Sequence, residues 1–576
     1  MRLRTALNEY KRDRGGRFPE ECRTSDGAFS GHGDRLVYVG LDGSLRDYSA
    51  SLSGLYGIDR SRFGIETDGE THWFDELESV RQHYYRETSL VETEYDAGEY
   101  TVHQYDLTLG RAHVTHVELR GAIPTDAHLT AFLTFAPEGR ETRVGRLIHE
   151  ADGDTQAVEV FHRNEHDYVT ASTGLTDVRG QIPERFDEIL SDDAFDFPRE
   201  AVLDRYEDTH LSGDVVVSAP LEQEGRAART TLVTQLSDHN EMARTDALAD
   251  LRHCSVQHAT ADALRDAARE QAEVFVPDGT PRERIVRADL RALSLLTAPS
   301  GARIAGPEFD PFYAHSGGYG YTWFRDDAEV TQALANADDA FDLGLGDRLA
   351  TSAAFYCETQ LEDGTWPHRV WAVDGTVAPG WAHGRVEGTG DEEYQADQTA
   401  SVVAALASLL AERRDELDDE LVGRIRSTVA AGVSGLDSSL EADGLPKPCQ
   451  NAWENMSGRF THTAATFLQA YATVATAPVN DDLREHAAEQ ATAVYEGLDE
   501  LWSDEREVYA LRIDGNGGLD DRLDSSTFAL VDAIDAYADV GEVDSKTADR
   551  LIKHMAATLK GLYRNPRGDV AGLVRF

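Results

Sequence analysis

The spacing of apolar and polar residues changes once along this chain. Up to about position 250 they alternate in short runs such as RLVYVGL (35–41), YTVHQYDLTL (100–109), HVTHVELRG (113–121), HLTAFLTFAP (128–137) and GDVVVSAPL (213–221). These runs are rich in β-branched and aromatic residues and are separated by Gly, Asp and Asn turns, the signature of half-buried antiparallel strands. They predict a large β-sandwich domain over 1–258. The segment TADALRDAAREQAEVFVP (260–277) switches to a helical period and reads as a linker, placed at 259–282. From 283 to 576 apolar residues recur at helical spacing in nine segments, near 283–297, 324–337, 342–361, 395–413, 418–436, 460–477, 481–501, 523–540 and 543–560. Helices in sequential antiparallel pairs predict an α/α toroid, and with no short repeat in evidence an open solenoid is the weaker reading. Three connecting loops, 298–323, 362–394 and 437–459, are long and rich in Gly, Trp, Asp and Pro. Long ordered loops on a rigid scaffold are where sites are built.

Composition narrows the function classes. A chain of 576 residues with 41% hydrophobic and 28% charged residues has room for at least two cores, and no run of eighteen apolar residues is present to span a bilayer. The first residues, MRLRTALNEYKRDRGGRF, lack the apolar stretch of a secretory signal, so a cytoplasmic location is expected. Acidic residues number 105 against 55 basic ones, for a net charge of −50, and they are spread along the whole length. Such a surface repels phosphate, which excludes nucleic acid as a partner. Lysine occurs only at 11, 447, 546, 553 and 560. The pattern reads as adaptation to a high-salt interior, where screening removes the self-repulsion of the acidic surface. The cysteines, Cys22, Cys254, Cys357 and Cys449, form no CxxC or Cys/His cluster, so no metal site, disulfide framework or cofactor is expected.

Candidate chemistry gathers in the long loops. Five of the seven tryptophans, Trp323, Trp366, Trp371, Trp381 and Trp453, lie in or beside them. Indoles next to Arg, Asp and Glu suit a sugar, whose ring offers an apolar C–H face and a rim of hydroxyls. The alternative is that they plug the loops. In HSGGYGYTWFRDDAEV (315–330), Arg325 and Asp326 stand where a helix begins and could grip several hydroxyls of one ring, with Asp327 capping or charging the first turn. The bland reading is a surface ion pair. In GLPKPCQNAWENMSGRFTHTAATFLQA (444–470), Glu454 follows Trp453. A carboxyl packed on an indole is desolvated and holds its proton toward neutrality, as a general acid must, although it could equally be a helix-start carboxylate.

In order and spacing, WFRD (323–326), DGTWPHRVW (363–371), YQADQTA (394–400), NAWENMSGRFTHTAA (451–465) and GLVRF (572–576) resemble the glucoamylase-like members of glycoside hydrolase family 15. The resemblance covers essentially the whole chain. It implies an N-terminal antiparallel β-supersandwich, a linker and an (α/α)6 toroid, here lacking its last helices. It implies Glu454 as general acid. Arg325 and Asp326 would grip the terminal glucose beside Trp323, Arg575 would contact the same sugar, and Trp366 and Trp371 would be subsite walls.

Three departures stand out. Asn455 and Asn451 replace acidic residues around the acid, and Gln398 replaces a Glu. The third is the base, a Glu some tens of residues beyond the Gly-x-x-Arg-Tyr segment in the family. It is not in this sequence, where Asp397 and Glu393 are the only stand-ins, and the chain is expected to be a fragment. The implied activity is inverting, exo-acting release of glucose from non-reducing ends of α-glucans or maltooligosaccharides, without a cofactor. A trehalase or another α-glucoside hydrolase of the family is the nearest alternative. A non-catalytic carbohydrate-binding protein is the alternative from another class.

Overall fold

The computed structural model describes residues 27–49, 56–137, 144–150, 156–180, 213–272, 276–307, 319–378, 395–453, 456–565 and 571–575. Two compact units compose the chain. The first spans Met1–Pro299 with Gly306–Gly320 and Ala382–Gly384, and the second spans Ser300–Ala305, Tyr321–Trp381 and Arg385–Phe576.

The first unit holds two antiparallel sheets. One has eight strands, with Ala28–His32, Arg35–Val39, Leu45–Ser49, Tyr56–Thr67, His128–Phe135, Asp214–Pro220 and Asp177–Arg179 in spatial order and Glu70–Trp73 beside Tyr56–Thr67. The other has nine, in the order Gly145–His149, Ala157–His162, Glu165–Ala171, Ala227–Gln235, Ala112–Gly121, Tyr100–Leu109, Val91–Asp96 and Glu78–Tyr84, with Glu222–Glu224 beside Ala227–Gln235. The period-two pattern explains the layering. Val102, Val117 and Leu119 of the second sheet share one core with Val37, Phe63, Ile65 and Leu133 of the first. The alternate residues Tyr105, Leu107 and Val114 face the other way. There they meet α1 (Arg244–Gln257) and α2 (Ala261–Gln271), through Leu248, Leu251, Leu264 and Ala268. The stretch read as a linker is therefore a packed helix over its first part. The helix before it, inside the region read as strands, was not anticipated.

The nine helical segments all form. The first, α3 (Glu283–Leu295), makes its contacts in the β unit: Arg291 Nη1 lies 2.6 Å from Glu87 and its guanidinium 3.6 Å over Tyr84. The other eight are α4 (Phe324–Phe341), α5 (Gly346–Thr359), α6 (Ala396–Glu412), α7 (Asp419–Ser438), α8 (Thr461–Thr476), α9 (Asp481–Gly497), α10 (Leu530–Ala538) and α11 (Ser545–Leu562). Alternate helices α4, α6, α8 and α10 pack on one another in succession. α6 and α8 are buried on nearly every side, as their Ala-rich, apolar sequences require, whereas α5, α7, α9 and α11 keep polar outer faces. This is the helix-pair arrangement of a toroid, with α4, α6, α8 and α10 on the inside.

At two places an Asp-Gly turn packs directly against an outer helix. Asp363 Oδ1 accepts the Thr365 N–H at 3.0 Å, and Asp443 Oδ1 accepts the Leu445 N–H at 3.1 Å. Between each pair stands a glycine at positive φ, Gly364 at +83° and Gly444 at +81°. A Cβ on either would lie 2.0 Å from a carbonyl oxygen of the next outer helix, that of Ala431 in α7 or Ala493 in α9. Only glycine permits both the backbone and the approach.

Candidate active site

The inner helices α4, α6 and α8 begin at the sequence motifs. Their N-cap residues Trp323, Gln395 and Phe460 supply no side-chain cap. In contrast, Asp418, Asn480 and Asp544 cap the outer helices α7, α9 and α11. In α4 a neighbouring side chain takes up the first-turn N–H of Arg325 and joins two of the motifs, whereas in α8 the Thr461 N–H donates to the Leu511 carbonyl.

Arg325 is the hub. Its backbone N–H donates to Gln398 Oε1 at 3.0 Å, and Nη1 donates to Gln395 Oε1 at 2.9 Å and Asp397 Oδ2 at 3.0 Å. Its side chain is 10% exposed and that of Asp397 fully buried. Asp326, paired with Arg325 by the sequence reading, lies farther off at 3.8 Å with a 55% exposed side chain. Arg325 thus pairs twice, closely with the buried Asp397 and more loosely with Asp326, which is the accessible carboxylate. Asp397 is a brace inside the protein, a poor position for a residue that must touch water. Asp327 stands in the first turn of α4, as expected, but faces the interior. It is buried, accepts from Arg303 Nη1 at 2.9 Å and Tyr356 Oη at 2.8 Å, and burial holds its carboxyl above the usual range.

Trp323 is nearly buried and stands edge-on to His368, ring centroids 4.6 Å apart. The strand pair Thr322–Trp323 with Arg369–Val370 joins the first motif to the second. Burial, reinforced by Arg369 and Arg325, holds His368 well below the usual imidazole range, so it is neutral. His462, near the start of α8, lies 3.7 Å from Asp397. Burial lowers its pKa, against the opposing pull of Asp397.

Trp366 and Trp371 are each 1% exposed. Trp366 donates Nε1–H to the Tyr356 carbonyl at 3.0 Å and its ring faces Gly432 of α7. Trp371 meets Tyr321 edge-on at 4.7 Å. A subsite wall must offer a ring face, so both act as packing residues of the helical unit. Trp453 is half-buried. Its backbone N–H donates to Asn451 Oδ1 at 2.9 Å, and the Arg575 guanidinium lies 3.6 Å over its ring. Glu454, Asn455, Trp381 and Glu393 lie outside the described residues.

The amide departures have structural uses here. Gln398 accepts the Arg325 N–H and Asn451 accepts the Trp453 N–H. Cys449 is buried and unpaired, and burial beside Asp397 pushes its thiol up to about 12, consistent with a structural thiol. Sequence reasoning missed Arg303, His368, His462 and Asp524. Each is a polar residue in a loop or at an element start, and only its partners, distant in sequence, distinguish it from a solvated one. Among the described residues no helix is long and apolar enough to cross a membrane.

A family model described as glycosyl hydrolases family 15 matches residues 282–570, and one described as a domain of unknown function, DUF7997, matches residues 1–247. No curated protein matches the chain. Among solved structures, a bacterial glucoamylase complexed with acarbose aligns over 96% of this chain and 80% of its own, with a TM-score of 0.66 at 13% identity. An inverting mannosidase of family GH92 from Bacteroides thetaiotaomicron aligns over 92% and 74%, with a TM-score of 0.46 at 12% identity. The glucoamylase likeness is one of fold, and it agrees with antiparallel sandwich sheets followed by a helical unit. With its helical half matched from 282 to 570 and the motifs of that half drawn together around Arg325 and Trp453, the chain belongs to glycoside hydrolase family 15.

Proposed function

We propose that this protein is an inverting, exo-acting α-glucosidase of glucoamylase type, releasing glucose from the non-reducing ends of α-glucans or maltooligosaccharides. The observation that carries the reading is the convergence of five segments far apart in sequence. WFRD meets the second motif through the 322–323/369–370 strand pair and meets YQADQTA through Arg325. Asp397 meets His462 of the fourth motif, and Trp453 of that motif meets Arg575 of the fifth.

In this reading Glu454 donates its proton to the glycosidic oxygen as the bond to C1 breaks, and a water attacks C1 from the opposite face. The carboxylate that activates the water is not assigned to any residue named here. Arg325, held on three sides by Gln395, Asp397 and Gln398, is a rigid donor fork, and the exposed Asp326 beside it is the acceptor for sugar hydroxyls. Arg575 and Trp453 form a second contact for the same ring. Trehalose cleavage uses the same acid and the same terminal-glucose grip, so the substrate panel separates the two activities.

The test is glucose release from maltose, maltoheptaose, isomaltose and trehalose in high salt, with the anomeric configuration of the product read by NMR. In an intact enzyme that carries the base, Glu454→Gln should lower kcat by orders of magnitude with little change in ground-state binding. Near wild-type turnover by that variant removes Glu454 from the mechanism. Retention of configuration, or saturable α-glucan binding without any hydrolysis, removes the inverting-hydrolase reading and leaves a binding protein.

A further inference from the structure

Asp524 opens the short turn Ser525–Ala529, outside every motif that points to the site. Its Oδ1 accepts from the Ser526 N–H at 2.9 Å and from the Ser526 hydroxyl, which together cap the turn. The same oxygen accepts the indole Nε1–H of Trp453 at 2.9 Å, across 71 positions of sequence. Asp524 is fully buried, and its Oδ2 has no hydrogen-bond partner among the described residues. Ser, Thr or Asn caps a turn as well without placing an ionisable group in the interior, so capping does not account for a buried carboxylate here.

Its surroundings are built to hold it still. The Asp524 carbonyl accepts from Thr527 Oγ1 at 2.6 Å, and Thr527 Oγ1 is 2.8 Å from His554 Nε2. His554 Nδ1 accepts the Tyr509 N–H at 3.2 Å, which leaves Nε2 as the protonated nitrogen and Thr527 as its acceptor. On the other side the Ser525 N–H donates to the Arg575 carbonyl at 3.0 Å, and the Arg575 guanidinium covers the Trp453 ring. The turn therefore holds the edge of the indole directly and its face through Arg575.

We propose that Asp524 is a positioning residue of the hydrolase, fixing the Trp453 indole and through it the chain that carries Glu454, the next residue in sequence. The inference rests on the reading of Glu454 as the acid. An acid must meet the glycosidic oxygen within a few tenths of an ångström, so loosening the residue before it acts on turnover more than on substrate binding.

A double-mutant cycle on the full chain tests this. Trp453→Phe keeps an aromatic ring for Arg575 and removes the N–H together with part of the indole. Asp524→Ala removes the acceptor. Each should lower kcat on maltoheptaose by about tenfold or more, Asp524→Ala with KM within about twofold, and the double variant should have a kcat no worse than the poorer single one. Asp524→Asn, which keeps an acceptor for the indole and for Ser526, should recover most of the loss and covers the case in which the alanine variant fails to fold. Multiplying effects in the double variant, or an unchanged kcat in Asp524→Ala, would overturn the proposal. A second measurement is independent of activity. The Trp453 indole N–H, assigned by its absence in Trp453→Phe, should exchange with solvent much faster in Asp524→Ala. Unchanged exchange overturns the positioning role, whereas an inactive wild type with altered exchange overturns only the hydrolase reading.

Discussion

Replacing Arg325 by alanine separates its structural from its catalytic role. The pair it forms with Asp397 is closed off from water on both sides, at 10% and 0% side-chain exposure and 3.0 Å separation. Among the described residues Asp397 Oδ1 has no hydrogen-bond partner, so removing Arg325 leaves a buried carboxylate with only His462, 3.7 Å away, beside it. Breaking a buried pair from one side costs about 3–5 kcal/mol. Denaturant unfolding in high salt measures it. Replacing both partners by apolar residues of similar volume, as in Arg325→Met with Asp397→Leu, removes the uncompensated charge and should restore much of the stability. Activity should not return. If the guanidinium grips the terminal glucose, its loss costs about 2–5 kcal/mol of transition-state binding, or roughly 30- to several thousand-fold in kcat/KM, equally for maltose and maltoheptaose. Recovery of hydrolysis in the apolar double variant, or a loss confined to long substrates, would refute the placement of Arg325 at the sugar.

The remaining expectations concern the whole chain. His116 and His554 are fully buried, and burial depresses each to about 4, so the unfolded chain binds their protons near 6.5 and the folded chain only near 4. The stability they contribute is present above about pH 6.5 and is lost as pH falls through about 4, to a limit of about 3 kcal/mol each. A melting temperature flat from pH 7 to 4.5 contradicts this, and His554→Gln should remove its share of the slope. Gly364→Ala and Gly444→Ala should each destabilise the helical unit by at least about 1–3 kcal/mol in denaturant unfolding, because a Cβ meets both a positive φ and a carbonyl oxygen at 2.0 Å. With a net charge of −50, the chain should melt at clearly higher temperature in molar KCl than in dilute buffer, as the screening length falls from about 8 Å to about 3 Å. A melting temperature independent of salt removes the reading of the acidic composition as salt adaptation.

Local pattern was enough to read the architecture. A period of two specifies which strand residues point the same way, and a period of 3.6 specifies one buried stripe per helix, so the sandwich, the nine helices and their order were legible without coordinates. The family resemblance was legible for the same reason, since its motifs are contiguous segments. What a period cannot state is the partner against which a face is buried. α3 has the helical spacing of the toroid segments but makes its contacts in the β unit, and α2 covers the second sheet where a linker was expected. The tryptophans show the same limit. Five indoles in long loops look alike in sequence, yet Trp366 and Trp371 are enclosed while Trp453 keeps a face for Arg575. Charge pairing was least legible. Adjacent Arg325 and Asp326 suggested a pair, and they lie 3.8 Å apart at an exposed position, but the closer and buried partner of Arg325 is Asp397, on another helix. Burial, orientation and the identity of an ionic partner are properties of residues brought together over long sequence separations, so only the tertiary structure could decide them.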